Sequence, residues 1–157
     1  MPMMALFIRA LVFAATSVLP LPIPPVSGRV VEGFRAPACL RCAGHRGVTF
    51  ATAHGTGVIV VRSGVVTFVG EVAHQTYVVL EIAPQVLVTY GWFVPTPELQ
   101  KGMAVNQGAR LGVTGERFYL GVRVAGAYVD PLRYLGLAGV RLRGSGKVVV
   151  GQRPFAR

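Results

Sequence analysis

The stretch TGVIVVRSGVVTFVGEVA, residues 56–73, constrains this chain more than any other. It is two β-branched runs split at Ser63-Gly64. β-Branched side chains lose rotamer freedom in a helix and pack well on a pleated surface. A Ser-Gly step between two such runs is a turn signal. The same grammar continues on both sides. GRVVEGF, from Gly28, alternates. TYVVLEI and QVLVTYGWFV are separated by Ala83-Pro84. LQKGMAVNQGARLGVTG places glycines at 102, 108, 112 and 115 between short apolar steps. RFYLGVRVAGAYVDP reads as a strand, a turn near Gly126 and a second strand. No window beyond the N-terminal segment sustains a 3.6-residue period. Strands about 8–12 residues apart predict an all-β sandwich or barrel-like fold.

The 157 residues suit one domain with its own core, and a hydrophobic fraction of 52% excludes a disordered chain. Three regions are expected. Residues 1–25 open with MPMMALFIRALVFAATSVLPLPIP, whose only charge is Arg9. The apolar run after Arg9 has the length of an export-signal core and is short and proline-broken for a membrane span. It reads as a signal peptide or an uncleaved anchor, placing the protein outside the cell or at the envelope. Pro20, Pro22, Pro24 and Pro25 form an extended spacer. Residues 26–136 are the globular body. Residues 137–157 are a basic tail with a short strand at Lys147–Val150.

Sixteen Lys+Arg stand against six Asp+Glu, a formal charge of +10. That surplus favours polyanionic partners: nucleic acid, anionic lipid or acidic wall polymers. A GC-rich genome also enriches arginine, and the arginines here form no dense run. Nucleic acid is the least favoured partner, since no nucleic-acid motif is present and an export signal is expected.

Few residues carry chemistry. Ser63 and Ser145 lack a base-like neighbour pattern, and the acids Glu32, Glu71, Glu81, Glu98, Glu116 and Asp130 form no close pair in sequence. GSGK at 144–147 lacks the upstream glycine spacing of a phosphate loop. Cys39 and Cys42 form a Cys-x-x-Cys open to three states: a disulfide, two thiols or two metal ligands. An exported chain favours the disulfide. The alternative is a structural zinc drawing on Cys39, Cys42, His45 and His54. In CAGHRGVTF, residues 42–50, His45 lies between Gly44 and Gly47, and Thr49 follows four residues later.

The order of these pieces resembles the lysostaphin/LytM-type zinc endopeptidases, which cut cross-links in bacterial peptidoglycan. GRVVEGF looks like the family's first strand, and GHRGVTF matches its His-x-Gly-x-Asp motif apart from the last position. GTGVIVVRSGVVTFVG looks like its hairpin, VLVTYGWF like its Thr-x-Tyr strand, and LQKGMAVNQGARLGVTG like its glycine turn series. GVRVAGAYVDPLRYLG looks like the stretch after its His-x-His motif. The resemblance covers roughly residues 26–143. It implies an all-β core of the duplicated-hybrid-motif type, a small antiparallel sheet or sandwich with a groove that holds zinc on one side.

Carried over residue by residue, the resemblance assigns His45 to the first zinc ligand and Thr49 to the Asp ligand. Arg117 and Tyr119 take the places of the His-x-His pair, where the family has a catalytic histidine and its third ligand. The histidine that follows the family's Thr-x-Tyr strand is missing, the chain reading Thr89, Tyr90, Gly91, Trp92. Arginine stays protonated and cannot serve as a base, and a neutral hydroxyl is a poor zinc ligand. No histidine follows His74, so no shift of register restores His-x-His. Tyr90 and Trp92 are candidates to line the groove, unless they simply pack on one face of their strand. The expectation is an exported domain without catalysis or cofactor. It would act as a binding or regulatory module on peptidoglycan, an anionic wall polymer or a wall hydrolase. The alternatives are an active zinc endopeptidase with an unusual ligand set and a basic polyanion binder.

Overall fold

A computed structural model describes residues 21–39 and 41–138. The export segment at 1–20 and the strand expected at Lys147–Val150 lie outside the described residues.

The described residues form nine strands, built on the β-branched runs, and one short helix. In chain order the strands are β1 (Gly28–Glu32), β2 (Gly47–Thr52), β3 (Gly57–Ile59), β4 (Gly64–Val72) and β5 (Gln75–Ala83), followed by β6 (Val86–Pro95), β7 (Ala104–Val105), β8 (Arg110–Val124) and β9 (Ala127–Val129). Helix α1 is Pro131–Tyr134. All pairings are antiparallel, in the order β1-β2-β8-β6-β5-β4-β7, with β3 and β9 also on β8. The fold is therefore all-β, as the alternation predicted.

β8 is the spine. At 15 residues it is long enough to pair with β3, β2 and β9 along one side and β6 along the other. The glycine-rich stretch up to Gly115 had been expected as turns, yet residues 110–115 are the first part of β8. The reason is close packing. A Cβ on Gly112 would fall 2.8 Å from the Cα of Pro95 on β6. The glycine lets two backbones approach within a continuous strand.

One face of the sheet carries the core. Val48, Phe50, Val78, Leu80, Val88, Tyr90, Phe118, Leu120 and Val122 are buried there at strict two-residue spacing. The rings of Phe50 and Tyr90 lie 6.0 and 6.4 Å from that of Phe118. After β9, Asp130 caps α1: its carboxylate accepts a hydrogen bond from the Leu132 N–H at 3.0 Å, and Pro131 supplies the preset first helical φ. Leu135 and Leu137 then return to the core. The packed body therefore continues past residue 136. At the other end, the Pro25 carbonyl accepts the Ile59 N–H at 2.8 Å, and Gln107 holds the Leu21 carbonyl, also at 2.8 Å. The spacer is thus fastened to the body.

Candidate functional site

The opposite face of β2, β8, β6 and β5 carries a row of side chains set by register. Glu32 on β1 is paired with Thr49 on β2, Thr49 with Tyr119 on β8, Tyr119 with Gly91 on β6, and Gly91 with Tyr77 on β5. Paired residues share a face, so these groups form one line across this face of the sheet.

His45 reaches this line from the loop before β2. Arg35 and His45 exchange backbone hydrogen bonds, each N–H donating to the other's carbonyl at 2.9 Å. This pins the imidazole over the row. Its Nδ1 lies 3.1 Å from the Gly33 carbonyl, which can only accept, so Nδ1 carries a proton. In the neutral ring Nε2 then accepts, and the Thr49 hydroxyl donates to it at 3.1 Å. Thr49 is fully buried. Glu32 stands 3.6 Å from His45 Nε2 and 3.9 Å from Arg35, an ion pair with the histidine only when the ring is charged.

Tyr119 fills the centre. Its ring lies edge-on to His45 at 5.9 Å and to Tyr77 at 6.3 Å, and tilted against Trp92 at 5.4 Å. Three glycines make room for it. A Cβ on Gly47 would fall 2.6 Å from the ring, one on Gly91 3.2 Å from it, and one on Gly121 2.9 Å from its hydroxyl. Burial pushes the Tyr119 phenol up to about 12, with Tyr128 and Tyr77 adding to the rise and Arg46 opposing it. The group is neutral at physiological pH.

Trp92 closes the row on β6. Its indole N–H donates to the Tyr77 hydroxyl at 3.0 Å, and the Arg117 guanidinium stacks 5.6 Å from its ring. Tyr90 and Trp92 would share a face in a regular strand, as the sequence suggested. The structure separates them. β6 bulges between Gly91 and Phe93, and Trp92 sits at φ 65°. The extra residue inverts the alternation. Tyr90 is consequently not a groove residue: it is fully buried in the core, and its hydroxyl accepts the Val61 N–H at 3.1 Å.

Cys39 and Cys42 form a disulfide, which takes both sulfurs out of any metal-ligand set. The structural-zinc alternative is corrected accordingly. His54 is exposed on the turn after β2. Sequence reasoning missed Glu32 and Tyr77 as members of the groove. For Tyr77 the available signal was its position in an alternating strand.

Comparison with known proteins follows the same line. The model of peptidase family M23 matches residues 43–131, more than half of the chain. The chain belongs to peptidase family M23. Helicobacter pylori Csd3 is similar at 24% identity and a TM-score of 0.65, over 73% of this chain and 34% of that one. A zinc-containing peptidase from Vibrio cholerae is similar at 24% identity and a TM-score of 0.57, over 69% and 37%. A complex of SpoIIIAH and SpoIIQ gives 17% identity and a TM-score of 0.63, over 73% and 99%. These likenesses show the fold. The match spans about a third of the length of Csd3 and of the Vibrio peptidase. No curated protein matched the sequence.

For an M23 chain the donors at the zinc position can be tested by their chemistry. A catalytic zinc takes three protein ligands and an open position for water. This line offers one imidazole, a neutral hydroxyl already bonded to it, and a phenol held protonated. Glu32 adds one carboxylate at the rim, more than a third exposed. Among the described residues, no three His, Cys, Asp or Glu side chains come together. The residues present do not fit a catalytic zinc.

Proposed function

We propose that this chain is an exported, non-hydrolytic M23 domain. It acts at the cell envelope as a binding or regulatory module, its groove receiving peptidoglycan stem peptide or a partner wall hydrolase. One observation carries the reading: the Tyr119 ring occupies the middle of the cross-strand row, bedded on Gly47, Gly91 and Gly121, at the register position facing Thr49. Activating a water there would need a metal or a base, and this position offers a neutral phenol beside Arg117.

The remaining surface suits binding. Trp92, Tyr77 and Tyr119 present partly exposed aromatic faces that stack on sugar or peptide planes. Arg117 and the chain's charge of +10 favour anionic wall polymers. The similarity to the SpoIIIAH–SpoIIQ complex, at a TM-score of 0.63, also allows a protein partner for this fold.

Isolated peptidoglycan tests the proposal. The full chain is expected to co-sediment with it, to be released by salt, and to change the fluorescence of Trp92, the only tryptophan. No soluble fragments should appear with or without added zinc. Zinc-dependent release of fragments would overturn the reading.

A further inference from the structure

Strand β1 ends the sheet. Its inner edge pairs with β2, and among the described residues no strand pairs with its outer edge. Such an edge offers backbone N–H and C=O groups to another strand, and charges or a bulge decide which strand it can accept. β1 carries both. At its centre Val30 and Val31 are 41% and 42% exposed.

The bulge lies between Val30 and Glu32, with Val31 the extra residue. Arg29 is paired with Ala51, Val30 with Phe50 and Glu32 with Thr49. Residues three apart in a regular strand point to opposite faces. The bulge cancels that difference, so Arg29 and Glu32 share the face that carries Thr49 and Tyr119. Arg29 is exposed and has no carboxylate partner among the described residues. Glu32, 3.6 Å from His45 and 3.9 Å from Arg35, keeps 42% of its side chain exposed.

The stretch RVVE, residues 29–32, is therefore self-complementary. Laid antiparallel against a second copy, with a two-fold axis between Val30 and Val31, Arg29 meets the partner's Glu32. Val30 meets the partner's Val31. The two-fold repeats both contacts, giving opposite charges at each end and apolar pairs between them.

We propose that β1 pairs with β1 of a second copy of this chain. The pairing joins the two sheets edge to edge. Cross-strand partners share a face, so the rows through Thr49 and Tyr119 of both copies lie on the same side. Each copy sets its Arg29 against the other's Glu32, next to His45, and so adds a cation to the other's row. One short strand from each copy makes a small interface, and a dissociation constant on the order of 100 μM is expected. The pairing stands whether or not the row binds peptidoglycan.

Sedimentation velocity of the full chain, from ~10 μM to ~1 mM, tests this with Arg29→Glu and Glu32→Arg. Either variant alone sets like charges against each other at both ends of the pairing. Each should weaken self-association by about tenfold or more. Mixed in equal amounts, the two variants complement each other and should associate about as tightly as the parent. So should the double variant on one chain. Recovery in the mixture also shows that both variants are folded. A parent that stays monomeric throughout would overturn the proposal. Self-association that both variants leave unchanged would place the contact elsewhere on the chain, and would overturn it as well. Loss in the single variants with no recovery in the mixture or in the double variant would remove the match of Arg29 with Glu32 and overturn it too.

Discussion

Thr49 and Tyr119 face each other across β2 and β8 as a registered pair, and the histidine four residues before Thr49 bonds to its hydroxyl at 3.1 Å. Three positions from two sequence-distant segments thereby meet at one point. Two of these three side chains, a neutral hydroxyl and a phenol held protonated, are poor metal ligands at neutral pH.

Rebuilding the donors on this backbone is the first prediction. Thr49→Asp with Tyr119→His would add a carboxylate and an imidazole beside His45. The double variant is expected to retain about one equivalent of zinc after dialysis, with tetrahedral N/O coordination. Removal of His45 from it should abolish retention. A double variant that retains no more zinc than the parent would show that the backbone does not preserve the geometry.

The glycine bed yields a stability prediction. Gly121→Ala places a methyl 2.9 Å from the Tyr119 hydroxyl. Overpacking of this kind costs about 1–3 kcal/mol. Denaturant unfolding should show that loss. In a Tyr119→Ala background the same substitution should cost much less, because the space is vacated. An undiminished cost in that background would mean that the ring does not lie on Gly121.

Alkaline titration reports on the same ring. The Tyr119 phenol is raised to about 12 in the fold, against about 10 in the unfolded chain. The stability this contributes is fully present below pH ~10 and is lost as pH rises through about 12, because the unfolded chain ionises first. Tyr119→Phe should remove on the order of 1–2 kcal/mol of this alkaline loss, measured as unfolding free energy at pH ~9 and ~12. Burial also raises Tyr90, so the variant should keep part of the loss. An unchanged pH profile would place Tyr119 in solvent.

Much of the fold was legible because two-residue alternation and Gly-containing turns are local properties. GRVVEGF and QVLVTYGWFV became strands where the pattern put them. The continuity of β8 was not legible. Gly112 looks identical in sequence whether it turns the chain or lets Pro95 approach. The face of Trp92 was hidden for a related reason, since one residue at positive φ inverts the alternation and nothing in VLVTYGWF marks the bulge. The pairing of His45 with Thr49 could be expected from their spacing and the family resemblance. The bed under Tyr119 could not, because Gly47, Gly91 and Gly121 become neighbours only through the register of β2, β8 and β6.

The most direct test of the account is the zinc content of the full-length chain after exposure to zinc and exhaustive dialysis. With one imidazole and no suitably placed second and third ligands, less than about a tenth of an equivalent is expected. One equivalent, lost on His45→Ala, would contradict the account and return the groove to metal-dependent chemistry.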